Sequence, residues 1–287
     1  MNEYLVLRFF ACWMASMMLA QSGSLTQYTN SNGLASPSTL GISSLPLLIL
    51  IAFACLQLFF PLGVLDHFDW PIMIVLYLCL FPLFWWVFRR PMGKFPILLG
   101  LGLNLSVLGL YQLAHFMFMA ENKPFPSELF FGSFKYTDEL RFGFLLASFL
   151  IAQVWLKNLE IRLRPLLLGA EFAKGLGINP QKVSRETLLY TMFVSMVITF
   201  PFGLFSFIDL LIPHLVRLVF PGFRTLKQEL FMGTFLLAIF VALLDMGCYF
   251  FPWRGAEFSL GLISSCFGPL ILVYLIWKKI DEKNYAI

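Results

Sequence analysis

Few side chains in this sequence could do chemistry, and fewer stand together. The five cysteines, Cys12, Cys55, Cys79, Cys248 and Cys266, all lie inside apolar runs, with no metal-ligand spacing between them. Thiols so placed behave as small buried hydrophobes. The three histidines are scattered, so no metal or haem site built within this one chain is expected. Two carboxylates are more informative, because a charge in an apolar setting is costly unless it is paired or wet. Asp209 falls where a long apolar run turns, so it is expected to be solvated there or to touch a substrate. Asp245 lies within an apolar helix and needs a partner on a neighbouring one. Pro213, His214 and Arg217 form a spaced trio. Proline breaks a helix, and the other two can donate to the carbonyls it frees or sit at the interface; a proton relay is their alternative use. No Walker A loop, HExxH, GxSxG, CxxC pair or kinase pattern is present, so any energy source lies in another polypeptide.

The elements that carry these residues read as membrane. The chain of 287 residues is 59% hydrophobic and 13% charged, with a mean hydropathy of +0.81, where a soluble globule carries about 25% charged residues. The ten-residue alternation of a barrel is absent. Apolar blocks fall at about 5–21, 45–64, 71–88, 95–119, 142–156, 186–218, 230–251 and 258–277. The 186–218 block would extend ~50 Å as one helix, against ~30 Å of hydrocarbon. Pro201, Gly203 and Pro213 interrupt it, so it is expected to split into a full span and a shorter return.

The charges orient the spans. Arg89, Arg90 and Lys94, the 157–185 loop, and Lys278, Lys279 and Lys283 are the strongest basic clusters, and basic loops face the cytoplasm. With all three inside, the parity gives an all-α polytopic protein of about nine transmembrane helices, N-terminus outside and C-terminus cytoplasmic. The first block is taken as a membrane helix and not a removed signal. Residues 1–287 read as a single transmembrane domain with an outer loop at 120–141. That loop has room for a short helix near 126–130, with 129–134 leaning into a cavity mouth. Tyr111, His115, Met117, Phe130 and Phe134 are candidates for an apolar pocket there.

A polar island, 166–178, sits inside the cytoplasmic loop 166–185. Glu171 opens a short helix in the orientation the macrodipole favours, and Phe172 and Leu176, four apart, make a narrow apolar face. Gly175 and Gly177 permit a tight exit. The surface suits a soluble docking partner; an ordinary connecting loop on the bilayer is the plainer reading.

Four stretches in order resemble one family, the FecCD-type permease subunits of type II ABC importers for iron–siderophores, haem and cobalamin. They are residues 22–37 with Leu40-Gly41-Ile42-Ser43, the island Leu166-Leu167-Leu168-Gly169-Ala170-Glu171-Phe172-Ala173-Lys174-Gly175-Leu176-Gly177-Ile178, the run Phe207-Ile208-Asp209-Leu210-Leu211-Ile212-Pro213-His214-Leu215-Val216-Arg217, and Glu257 to Gly261 with Gly268-Pro269. The resemblance implies an inverted-repeat permease fold in a bacterial inner membrane, working by alternating access on a bulky metal chelate. It implies that Gly169, Glu171, Phe172, Ala173, Leu176 and Gly177 couple to an ABC ATPase dimer. Asn32 and Leu34, with Gly93 and Lys94, would form a cytoplasmic gate, where 30–33 otherwise reads as a plain turn. Gln27, Phe130, Phe134 and Asp209 are possible pathway residues, and Pro213, His214 and Arg217 a structural motif.

The partners implied are that ATPase, a second permease copy, a periplasmic or surface substrate-binding protein and lipid, with no nucleic acid. No cofactor belongs to this chain, ATP and Mg being held by the partner. Against the family pattern, Gly33 replaces a proline and Asp209 a glycine, Gly93-Lys94 replaces small and hydroxyl residues, and the chain begins where the family's second helix would. These departures suit a transport-inactive scaffold or sensor as the alternative. An ion-coupled carrier using Asp209 or Asp245 is another.

Overall fold

The computed structural model describes residues 2–59, 70–88, 96–123, 131–220, 222, 225–252, 254 and 257–284, and no strand occurs among them. The α-helices in chain order are α1 Asn2–Thr29, α2 Ser44–Phe59, α3 Trp70–Phe88, α4 Pro96–Ala120, α5 Glu139–Leu167, α6 Ala170–Gly175, α7 Pro180–Phe202, α8 Ile208–Val219, α9 Thr234–Phe250 and α10 Leu260–Asn284. A π-helical turn, Gln228–Gly233, leads into α9. Among the described residues four helices are long and apolar enough to cross a membrane: Glu3–Thr29, Leu98–Ala120, Glu139–Leu167 and Gln228–Phe250. Shorter apolar helices cover Ser44–Leu56, Trp70–Pro82 and Leu260–Ile271.

α1 is the hub and packs against α5, α7, α8 and α9. Lipid tails are as apolar as leucine, so helices in a bilayer gain little by hiding apolar surface and associate by close packing of small residues. Ala11, Ala15, Ala20, Ser22 and Ser24 of α1 are fully buried for that reason. Gly23 makes the closest approach, for a Cβ there would overlap the Asp209 carbonyl. Its helical donor would be the amide of residue 213, and Pro213 has none. α1 thus lays a bare glycine on the acceptor that proline freed. Buried amides lock the same hub: Gln153 Nε2 donates to Gln21 Oε1 at 2.8 Å, and Gln21 Nε2 to the Leu230 carbonyl at 3.2 Å.

The 186–218 block divides as its prolines predict. α7 ends at Phe202, Gly203 turns at φ 87°, and Phe207, at φ 66°, opens α8 in the left-handed region. α5 runs well past the apolar block expected for it. Its charged continuation is held by pairing, Glu160 with Arg164, and Arg162 with Glu186 of α7 at 2.7 Å. Charges satisfied on neighbouring helices need not end a helix, which is why hydropathy alone stops it too early.

Candidate translocation cavity and coupling surface

The bundle has two ends. α6 marks one, where Thr29 Oγ1 lies 3.2 Å from Thr187 Oγ1. There Arg217 Nη2 donates to Glu229 Oε1 at 2.7 Å, and Tyr28 donates to the same carboxylate. The Arg217 guanidinium also stacks 5.1 Å over the Tyr28 ring. Arg217 therefore holds α1, α8 and the π-helical turn through a side-chain carboxylate and not through freed carbonyls. His214 does meet a carbonyl, with Nδ1 3.0 Å from Leu210 O.

At the far end Arg8 is 1% exposed and gives Asp245 a two-pronged ion pair, Nε to Oδ2 at 2.7 Å and Nη2 to Oδ1 at 3.2 Å. Its Nη1 reaches Glu257 at 2.9 Å. The partner Asp245 requires is thus Arg8. A lone cation in one apolar block and a lone anion in another are the signal for such a pairing. Beside it, backbone replaces side chain as glue. Gly132 N donates to Leu204 O, and Gly261 N to Gly132 O, both at 2.8 Å. Gly132 and Gly261 carry no Cβ because Phe205 and the Gly132 backbone occupy the space. Phe134 is buried 4.9 Å from Phe205 and 5.0 Å from Phe202, ring to ring. It anchors the outer segment and is not among the cavity's lining residues.

Between the ends lies a cavity of about 400 Å³, bounded by the 38–44 segment, α4, the 204–207 turn and the start of α10. Ser38, Thr39, Ser44, Asn104 and Ser265 supply its polar wall, and Leu108, Tyr111, Phe131 and Phe207 its apolar one. Of the residues expected to form an outer pocket Tyr111 lines this cavity, while His115, Met117 and Phe134 do not; the serine and threonine positions carry no pattern in the sequence that marks them. Asp209 departs from expectation. It is 1% exposed and not a solvated turn residue. Its carboxylate accepts from Ser38 N at 2.7 Å and Ser38 Oγ at 2.8 Å, near the N-terminus of α8, where the helix dipole favours an anion. It clamps the cavity wall from behind. Gln27 is 3% exposed and does not line the cavity, and among the described residues neither polar atom of its amide has a hydrogen-bond partner.

In the expected gate, Asn32 Oδ1 accepts from Leu34 N at 3.0 Å, a turn that its side chain closes on itself, and Leu34 is 39% exposed. Gly33 lies beside the His214 ring. Gly93, Lys94 and Phe130, and the helix expected near 126–130, lie outside the described residues.

α6 realises the polar island. Gly169 enters at φ 124° and Gly177 leaves at φ 76°. Glu171 pairs with Lys174 at 2.7 Å, and Ala173 alone turns inward, fully buried. Leu168, Phe172 and Leu176, spaced four apart, are all exposed, Leu168 at 72%.

The sequence matches the model of the FecCD transport family over residues 1–278. No curated protein sequence matches the chain. In fold it is similar to an inward-facing conformation of a metal-chelate type ABC transporter, at 20% identity and a TM-score of 0.74, covering 95% of this chain and 85% of that one. A bundle of apolar helices around a cavity, matched along nearly its whole length, makes this a multi-pass membrane protein, and the chain belongs to the FecCD transport family.

Proposed function

We propose that the chain is the transmembrane permease subunit of an ATP-driven importer that moves a bulky metal chelate, such as an iron–siderophore, haem or cobalamin, by alternating access. The observation that carries the reading is the α6 surface. Phe172 stands exposed on a six-residue helix bracketed by two glycines at positive φ, with exposed Leu168 just before it and Leu176 at its C-cap. Gly169 and Gly177 fix how the helix projects, the Glu171–Lys174 pair keeps it soluble, and Ala173 roots it. An ABC ATPase dimer docks on this surface and supplies ATP and Mg. A second permease copy covers the exposed apolar faces of α4 (Leu105, Phe116) and α10 (Leu270, Val273). A substrate-binding protein delivers cargo at the Gly132 end. The cavity is one half of the pathway, with Asn32 and Leu34 at its gate beside α6 and His214.

The ion-coupled reading loses its carboxylates, since Asp245 is committed to Arg8 and Asp209 to Ser38. The test is purification of the chain with the products of neighbouring genes. An ATPase co-purifies with the native chain and is lost from Glu171→Arg and from Phe172→Ala. Absence of an ATPase, or equal binding by both variants, refutes the reading and leaves the scaffold.

A further inference from the structure

Taking the cavity as part of a transport pathway, we infer that it is selective by charge: it admits cationic cargo and disfavours anions, with Asp209 the residue that sets the sign. The carboxylate directly behind the wall carries this. Ser38 spends its amide and its hydroxyl on Asp209, and its carbonyl accepts from Asn104 Nδ2 at 2.8 Å. Ser44 donates to Asn104 Oδ1. Thr39 donates to the Leu34 carbonyl at 2.8 Å, and Ser265 to the Leu262 carbonyl at 2.8 Å. Each hydroxyl has one hydrogen and two acceptor lone pairs. With the hydrogens turned into the protein, Ser44 and Ser265 present lone pairs to the cavity, while Thr39 Oγ1 accepts from the Ser36 amide at 2.8 Å and the Ser36 hydroxyl at 3.3 Å. Asn104 keeps a second amide hydrogen, and Ser43 and Ser206 add hydroxyls to the same wall.

Charge acts in the same direction. Among the described residues that line the cavity none is Lys, Arg or His, and an anion beside them meets no counter-charge. The carboxylate of Asp209 stands one hydrogen bond behind Ser38. A full negative charge outweighs the roughly half positive charge of the α8 N-terminus beside it. Low-dielectric walls focus such a field into the space they enclose. His115 stacks on Tyr111 of the lining, ring centroids 6.4 Å apart.

Charged thiol reagents read this directly in native membranes, without knowing the cargo. The five native cysteines are replaced by alanine and a single cysteine is placed at Ser265. Its modification rates by the trimethylammonium-ethyl and sulfonatoethyl methanethiosulfonates are compared at pH 8. Each rate is divided by that for 2-mercaptoethanol. The cation is expected to react about tenfold faster than the anion, the ratio that ~1.4 kcal/mol of differential attraction gives. The ratio falls at least threefold in Asp209→Asn and stays near one for a cysteine at exposed Tyr136. If Asp209→Asn does not fold, the native carboxylate is screened instead. The ratio at 265 then drops as salt rises from low to molar concentration, because the Debye length shrinks to about 3 Å. A ratio near one or below, or one that neither the substitution nor salt changes, overturns the inference. ATPase co-purification is independent of this result, so either claim can fail while the other stands.

Discussion

Arg8 brings three elements together at one guanidinium: α1 through its own backbone, α9 through Asp245, and the α9–α10 connection through Glu257. Tyr249 covers its open face at 5.2 Å. Removing the cation alone strands a buried carboxylate, and breaking such a pair from one side costs about 3–5 kcal/mol. Replacing both partners by apolar groups of similar volume is near neutral. Arg8→Met is therefore expected to lower the thermal midpoint of the detergent-purified protein strongly. Arg8→Met combined with Asp245→Leu recovers most of the loss, because Glu257, 24% exposed, can turn to water. If the double variant melts no higher than the single one, the pair has some role other than mutual neutralisation. The Arg217–Glu229 pair differs in being reachable from solvent, with Arg217 36% exposed. The same single substitution there is expected to cost less, and its melting curve checks that order.

At the scale of elements, glycines set how closely helices approach, and the open and crowded ones respond oppositely. A Cβ at Gly23 meets the Asp209 backbone, and one at Gly233 meets the Val216 side chain. Gly23→Ala and Gly233→Ala are expected to destabilise by about 1–3 kcal/mol, the usual cost of overpacking. Gly143→Ala and Gly247→Ala, with nothing within 4 Å, are expected to be neutral or to stabilise by up to about 1 kcal/mol through helix propensity. Midpoints from the four variants check the sign in each case. The positions of the spans were legible because hydropathy and length decide them, and the split at Gly203 was legible because Pro201 and Pro213 cannot continue a helix. α6 was legible from its charges and paired glycines. The cavity wall was not. Ser38, Thr39 and Ser265 are ordinary turn or helix residues in sequence, and only the return of the 38–44 segment against α4 and α10 gathers them. Asp209 was misread for a related reason. Burial depends on α1 closing over α8 at Gly23, a long-range contact without local periodicity.

The molecule as a whole is polarised, and the polarity predicts its orientation. Lys157, Arg162, Arg164, Lys174, Lys182, Arg185 and Arg217 outnumber Glu160, Glu171, Glu186 and Glu229 at the α6 end, whereas at the other Glu121, Asp138, Glu139 and Glu257 are matched by Lys123, Lys135, Arg141 and Arg254. Lys and Arg near span ends are retained in the cytoplasm, so α6 is expected to face inward. Asn2 begins α1, whose C-terminus meets α7 at the α6 end. Lys123 follows α4 and leads to the segment that Gly132 pins at the far end. Single cysteines at Asn2 and Lys123 are thus expected to react with an impermeant maleimide in intact cells, and one at Lys174 only after permeabilisation. Reaction at 174 with none at 2 and 123 would invert the orientation while leaving the fold intact. Reaction at 2 but not at 123 would instead break the bundle geometry, since both positions belong to the end held by Arg8 and Gly132. The pattern at three positions therefore separates an error of orientation from an error of fold.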